Sequence, residues 1–129
     1  WSPDGTSSCR RAETAPGFSV LFSDEGDAVL VDARLGLATS VARSLSEAGF
    51  LAYGGEEYRG LYEGQPARLG VFADRREPDK RVFVLRRPRI PSVIVETHNA
   101  LDPREAELWE TPVVRRAFAL ALVDALSLR

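Results

Sequence analysis

The chain has one histidine, one cysteine, one lysine and no methionine in 129 residues, and each shortage excludes something. With only His98 and Cys9 available, a three-ligand catalytic zinc site would need carboxylates to make up the number. Cys9 has no partner for an intramolecular disulfide, so cysteine usage identifies no redox compartment. A Cys9–His98 hydrolase lacks any nucleophile signature around the cysteine, and the G-x-S-x-G elbow of serine hydrolases is absent. No apolar run approaches the roughly 20 residues that cross a bilayer, and the polar start, Trp1-Ser2-Pro3-Asp4-Gly5, is not a signal peptide. Without methionine, Trp1 is not a translation start, and a processed product or fragment is expected. Excess positive charge is lacking too. A net charge of −2 gives no electrostatic case for nucleic acid, and Arg86-Arg87-Pro88-Arg89 reads as solvated loop charge.

What remains is an ordinary globular composition, 44% hydrophobic and 28% charged, at a length that suits one domain. Sixteen arginines against the single Lys80, with abundant alanine, suggest a GC-rich bacterial genome. Residues 1–16 read as a loop or cut edge, and 17–129 as part of a single domain. Phe18 to Ser23 is a strand candidate, followed by a turn at Asp24-Glu25-Gly26-Asp27. Leu35, Ala38, Val41, Ala42 and Leu45 then form one helical stripe ending at Gly49, with an upstream limit left open across Ala28 to Ala33. Phe50 to Lys80, broken by glycine and proline, reads as turns and short pieces. Gly54-Gly55 is a turn and no phosphate loop. Tyr53, Tyr58 and Tyr62 read as aromatic packing at the core edge, with a sugar groove as the sharper alternative. Val82 to Leu85 is expected to be a buried strand. Asp102-Pro103 and Thr111-Pro112 each start a helix, the second running to about Ser127, and Glu105 is placed for a capping box.

The segment Ser92-Val93-Ile94-Val95 ends abruptly on Glu96. An apolar run of this kind reads as a strand buried on both faces in a parallel sheet, beside Val82–Leu85. Catalytic groups in open α/β sheets gather at the carboxyl ends of such strands. A buried carboxylate needs a partner or a task; on spacing alone a structural salt bridge outranks catalysis.

The ordered set Pro91, Val93, Val95, Glu96, Asn99, Pro103 and Glu105, within a match spanning Arg81 to Leu126 and more loosely back to Gly17, resembles the C-terminal signature of the zinc-dependent N-acetylmuramoyl-L-alanine amidases. That resemblance implies a partial three-layer α/β domain that lacks its N-terminal half, with a central, mostly parallel sheet flanked by helices. It implies hydrolysis of the amide between N-acetylmuramic acid and L-alanine in peptidoglycan, with Glu96 as the general acid/base. The zinc ligands, two histidines and a glutamate in the family, are expected upstream, none of them in this chain, so the fragment alone should be inactive. His98 departs from the family pattern. A solvent-facing or loop-anchoring histidine is the preferred reading, with substrate contact, shared with Asn99, as the sharper one. Expected partners are peptidoglycan and the missing N-terminal half, with an apolar sheet edge left open near Phe18–Phe22 or Val93–Val95. No nucleic acid and no membrane span are expected, and the substrate implies a periplasmic or extracellular setting. The competing class is a non-catalytic α/β binding or scaffolding module. A paired-carboxylate glycosidase using Glu56 or Glu57 with Glu96 has no support in their spacing.

Overall fold

The structure is a computed structural model that describes residues 15–58 and 60–127. Cys9 and nearly all of the 1–16 segment lie outside the described residues. Four strands and four helices follow in the order β1 (Ser19–Phe22), α1 (Ala28–Glu47), β2 (Tyr62–Gln65), β3 (Arg68–Asp74), α2 (Phe83–Arg86), β4 (Ile94–Glu96), α3 (Pro103–Glu110) and α4 (Pro112–Ser127).

The strands form one sheet in the order β2-β3-β1-β4. Only β1 and β3 run parallel; the β1–β4 and β2–β3 pairs are antiparallel. The sheet is therefore mostly antiparallel, which corrects the expected, mostly parallel arrangement. The physical reason lies in what an apolar run reports. It signals cover on both faces of a strand, whatever the direction of the neighbours. β1 shows this: Val20 and Phe22 enter the cluster formed with α1 and α4, while Leu21 enters a second cluster with Tyr53, Phe72 and Leu85. The approach to β4 alternates in the same way, with Val93 and Val95 toward the helices and Ile94 toward the aromatic side.

Val82–Leu85 is not a strand. Val82 precedes the single helical turn of α2, in which Leu85 is fully buried while Phe83 is 64% exposed and Val84 55% exposed. The buried carboxylate of Asp74 accepts from Val82 N at 2.8 Å and so anchors the start of the turn. Ser92–Val95 accordingly neighbours β1 and does not pair with 82–85. The stretch read as turns contains the β2–β3 hairpin, whose register is irregular at Gly64/Gln65.

Helix α1 begins at Ala28, where Asp27 Oδ1 accepts from Leu30 N at 2.9 Å. It ends in a Schellman motif. Gly49 sits at φ 90°, its amide donates to Ser46 O, and the amide of Phe50 donates to Leu45 O, both at 3.0 Å. The Leu37, Ala38, Val41, Ala42 and Leu45 face packs on the sheet and on Ala121 and Ala125 of α4. Arg34 is also fully buried on α1. Its guanidinium donates to Ser23 O (3.4 Å), Glu25 O (2.5 Å), Arg86 O (3.4 Å) and Pro88 O (2.7 Å), tying the β1–α1 turn to the segment after α2.

The residues Phe18–Phe22 are buried, so the exposed face expected there is not found. The sheet edges are β2 and β4; β4 has β1 as its partner among the described residues, and Val93, Ile94 and Val95 are half-buried there. No helix among the described residues is long and apolar enough to cross a membrane.

Candidate functional site

A cavity of about 620 Å³ opens where the start of β1, the end of β4, the loop after β4 and the Tyr53–Tyr58 turn converge. Its lining includes Ser19, Tyr53, Glu57, Tyr58, Glu96 and His98. Three local structures bring these groups together. Ser19 and Glu96 are direct partners in the antiparallel β1–β4 ladder, so their side chains share a face of the sheet. The chain at Leu51–Tyr53 runs beside Phe18, with Phe18 N donating to Leu51 O and Tyr53 N donating to Phe18 O, both at 2.8 Å. That pairing delivers the Tyr53–Tyr58 turn to the mouth of the cavity. Gly17 permits the approach: it lies at φ 114°, and a Cβ there would sit 2.7 Å from Tyr53 N and 2.8 Å from Leu51 O.

Glu96 is exposed at the end of β4, and not buried as expected, because β4 lies at a sheet edge; its Oε2 is held by two hydroxyls. Ser19 Oγ donates to it at 3.2 Å, the Tyr58 hydroxyl also donates to it, and the two hydroxyls are 2.7 Å apart. Tyr58 is fixed by aromatic contacts, edge-on to Tyr53 and to Phe72 with centroids 5.0 Å away in each case. Burial raises its phenol pKa above the ordinary value, and the hydrogen bond to Glu96 raises it further. Tyr58 therefore remains a proton donor throughout the physiological range. Burial also raises the Tyr53 phenol, whose oxygen accepts from Glu57 N at 2.8 Å. Tyr62 is likewise raised by burial, with Arg76, stacked over its ring, acting in the opposite direction.

The loop after β4 is organised by Glu105. Asp102 caps α3, accepting from Arg104 N at 3.0 Å and Glu105 N at 3.4 Å, but the reciprocal half of a capping box does not form. Glu105 instead bridges Gly17 N to Oε1 and Asn99 N to Oε2, each at 3.0 Å. His98 stacks on Trp109 with centroids 5.2 Å apart and planes 14° apart, and its Nδ1 lies 2.9 Å from Thr97 Oγ1. Asn99 Oδ1 accepts from Leu101 N at 3.0 Å, closing the loop on itself.

Glu96, His98 and Asn99 are thus gathered on one cavity. Glu57 joins them there, whereas Glu56 is exposed and does not line it. Sequence reasoning missed the Ser19 and Tyr58 partnership with Glu96. Its only trace was a serine inside the otherwise apolar Phe18–Phe22 run, together with three closely spaced tyrosines. The residues around the cavity do not fit a catalytic zinc centre. The one imidazole is stacked on an indole, the Glu96 carboxylate is engaged by hydroxyls, and among the described residues no three His, Cys, Asp or Glu side chains cluster as ligands.

No protein-family model and no curated protein matches the chain. Solved structures do. The apo form of the N-acetylmuramyl-L-alanine amidase Ami1 from Mycobacterium abscessus superposes with a TM-score of 0.67 at 23% identity, covering 87% of this chain and 46% of that one. Ami1 from Mycobacterium smegmatis gives a TM-score of 0.67 at 24% identity, over 91% of this chain and 48% of that one. The chain therefore has the fold of about half the length of these amidases.

Proposed function

We propose that this chain is the C-terminal half of a peptidoglycan amidase domain, in which Glu96 is the general acid/base for cleaving the amide between N-acetylmuramic acid and L-alanine. The observation that carries the reading is the placement of Glu96: it ends a strand at the rim of a cavity, its Oε2 oriented by Ser19 and Tyr58. The fold shared with the two amidases and the Pro91–Glu105 signature support it.

The step follows from the carboxylate. One oxygen accepts a proton from water as the water oxygen bonds to the amide carbon. The same proton passes to the amide nitrogen as the C–N bond breaks, giving a lactyl carboxylate and a free L-alanine amine, with Glu96 returned to its starting state. A carboxylate at the end of a paired strand keeps its distance to such a reacting centre better than one on a loop. His98 and Asn99, on the same cavity, are proposed as substrate contacts. The zinc ion that the resemblance implies is proposed to be held by residues outside this chain, and the peptidoglycan substrate implies a periplasmic or extracellular place of action.

The test is Glu96→Gln in the complete protein, with muropeptide release from purified cell wall and metal content followed in parallel. Loss of general acid–base catalysis should lower turnover by about 10²–10⁴-fold, with folding and metal content retained. Near-normal turnover would remove the assignment.

A further inference from the structure

The carboxylate of Glu96 has a neighbour that the acid/base role alone does not require. Tyr58 comes from a turn remote in sequence, yet its hydroxyl reaches the same oxygen of Glu96 that Ser19 reaches from the adjacent strand. The ring has little freedom to leave. It is enclosed by Tyr53, Phe72 and Tyr62, the last at 4.8 Å between centroids, and its amide donates to Gly55 O at 3.0 Å. Gly55 itself lies against Phe72, where a Cβ would come within 2.6 Å of the ring, so the turn is closed down on the aromatic cluster. Ser19 is only 2% exposed, so its hydroxyl has few alternatives to Glu96 and Tyr58.

From this geometry we propose that Tyr58 and Ser19 form a two-hydroxyl clamp, positioning residues that hold one oxygen of Glu96 so that the other faces the reacting water. The proposal rests on the acid/base reading of Glu96 for its kinetic consequence, though the clamp itself is a matter of hydrogen bonding. Two hydroxyl protons serve three oxygen–oxygen contacts, so the carboxylate rotamer, the serine rotor and the phenol are set together. Tyr58 is suited to this: burial and Glu96 both favour its protonated form, so it does not compete with Glu96 for the catalytic proton. It also lines the cavity beside Glu96.

A double-mutant cycle in the complete protein tests it. Tyr58→Phe removes the hydroxyl and leaves the ring, and should lower kcat about 10-fold, corresponding to one hydrogen bond of about 1.4 kcal/mol to a charged acceptor, while KM changes less than twofold. Combined with Glu96→Gln, Tyr58→Phe should cost nothing further, because its effect passes through the carboxylate. A merely structural tyrosine would cost the same in both backgrounds, and that result, or no loss in either, overturns the proposal. Ser19→Ala repeats the cycle should Tyr58→Phe not fold. A second readout does not depend on turnover: the ring-carbon NMR resonance next to the Tyr58 hydroxyl, assigned by its loss in Tyr58→Phe, should shift in Glu96→Gln. An unchanged resonance refutes the clamp. Absence of amidase activity in the unmodified protein, with the shift present, refutes the functional reading and leaves the clamp standing.

Discussion

Removing the Glu105 carboxylate should loosen both sides of the cavity at once. Each of its oxygens accepts one backbone amide at 3.0 Å, Gly17 N at the mouth of β1 and Asn99 N in the loop after β4. Hydrogen bonds to a charged acceptor contribute about 1.5–3 kcal/mol each, and the half-buried setting of Glu105 argues for the lower end. Glu105→Ala should therefore cost about 3 kcal/mol. Glu105→Gln is the sharper perturbation because it preserves size. One oxygen remains as an acceptor, while the new amide group sets a donor against a donor at the other site, so about half the loss is expected. Hydrogen exchange followed by NMR separates the two arms. Each bond lost at about 1.4 kcal/mol corresponds to a roughly tenfold fall in protection, and the fall should centre on Gly17 and Asn99 with α1 unaffected. A Glu105→Ala protein that kept both amides fully protected would refute the bridge. So would loss of protection spread evenly over the molecule, which would mark a global effect.

Two further substitutions probe what places the site. Arg34→Met keeps the aliphatic bulk but strands four backbone carbonyls bound at 2.5–3.4 Å; with about 1–3 kcal/mol for a buried group left unsatisfied, it should destabilise the fold by at least about 3 kcal/mol in urea unfolding with an unchanged m-value, and a loss under about 1 kcal/mol would contradict the anchoring role of Arg34. Arg34→Lys should fall between, since an ammonium group cannot reproduce the planar fork. Gly17→Ala must displace the backbone at Tyr53 and Leu51 and hold alanine at φ 114°; about 2–4 kcal/mol is expected from strain and overpacking, read as a drop in thermal midpoint, and an unchanged midpoint would refute the close approach of the Leu51–Tyr53 segment to Gly17.

Much of the helical framework was legible in the chain because helix starts and stops are local. Asp102 and Pro103 stand at the start of α3, Gly49 follows the end of α1, and the Leu35–Leu45 stripe marks the face of α1 that packs on the sheet. The unread first turns of α1 hinged on Asp27, which lies inside a turn-like acidic run and declares itself a cap only through its bond to Leu30 N. Strand direction is different. It is decided by which distant segment arrives alongside, and β4 was free by its own residues to pair either way with β1. At residues 83–86 the failure has another cause: Phe, Val and Leu in succession favour a strand by type, but only Leu85 is buried, and the bond from Val82 N to Asp74 sets the turn from outside.

The cavity shows the same division between local and distant causes. Glu96 could be singled out because a carboxylate closing an apolar run is anomalous within a few residues. Its partners could not, because the distance from Ser19 to Glu96 is a matter of ladder register, and that from Tyr58 depends on the Leu51–Tyr53 segment lying against Phe18. Glu105 illustrates how a local rule can propose the right residue for the wrong bond. Its position three residues after Asp102 suits a capping box, yet with Gly17 N and Asn99 N both within reach, two longer-range amides compete with the one cap amide. Asp102 N is already satisfied by Asn99 O at 2.9 Å, so a reciprocal box would add nothing for that donor, while Gly17 and Asn99 would lose their acceptor. The carboxylate therefore bonds where unsatisfied donors remain. In doing so it joins β1 to the loop that follows Glu96, which makes the cavity wall one connected unit.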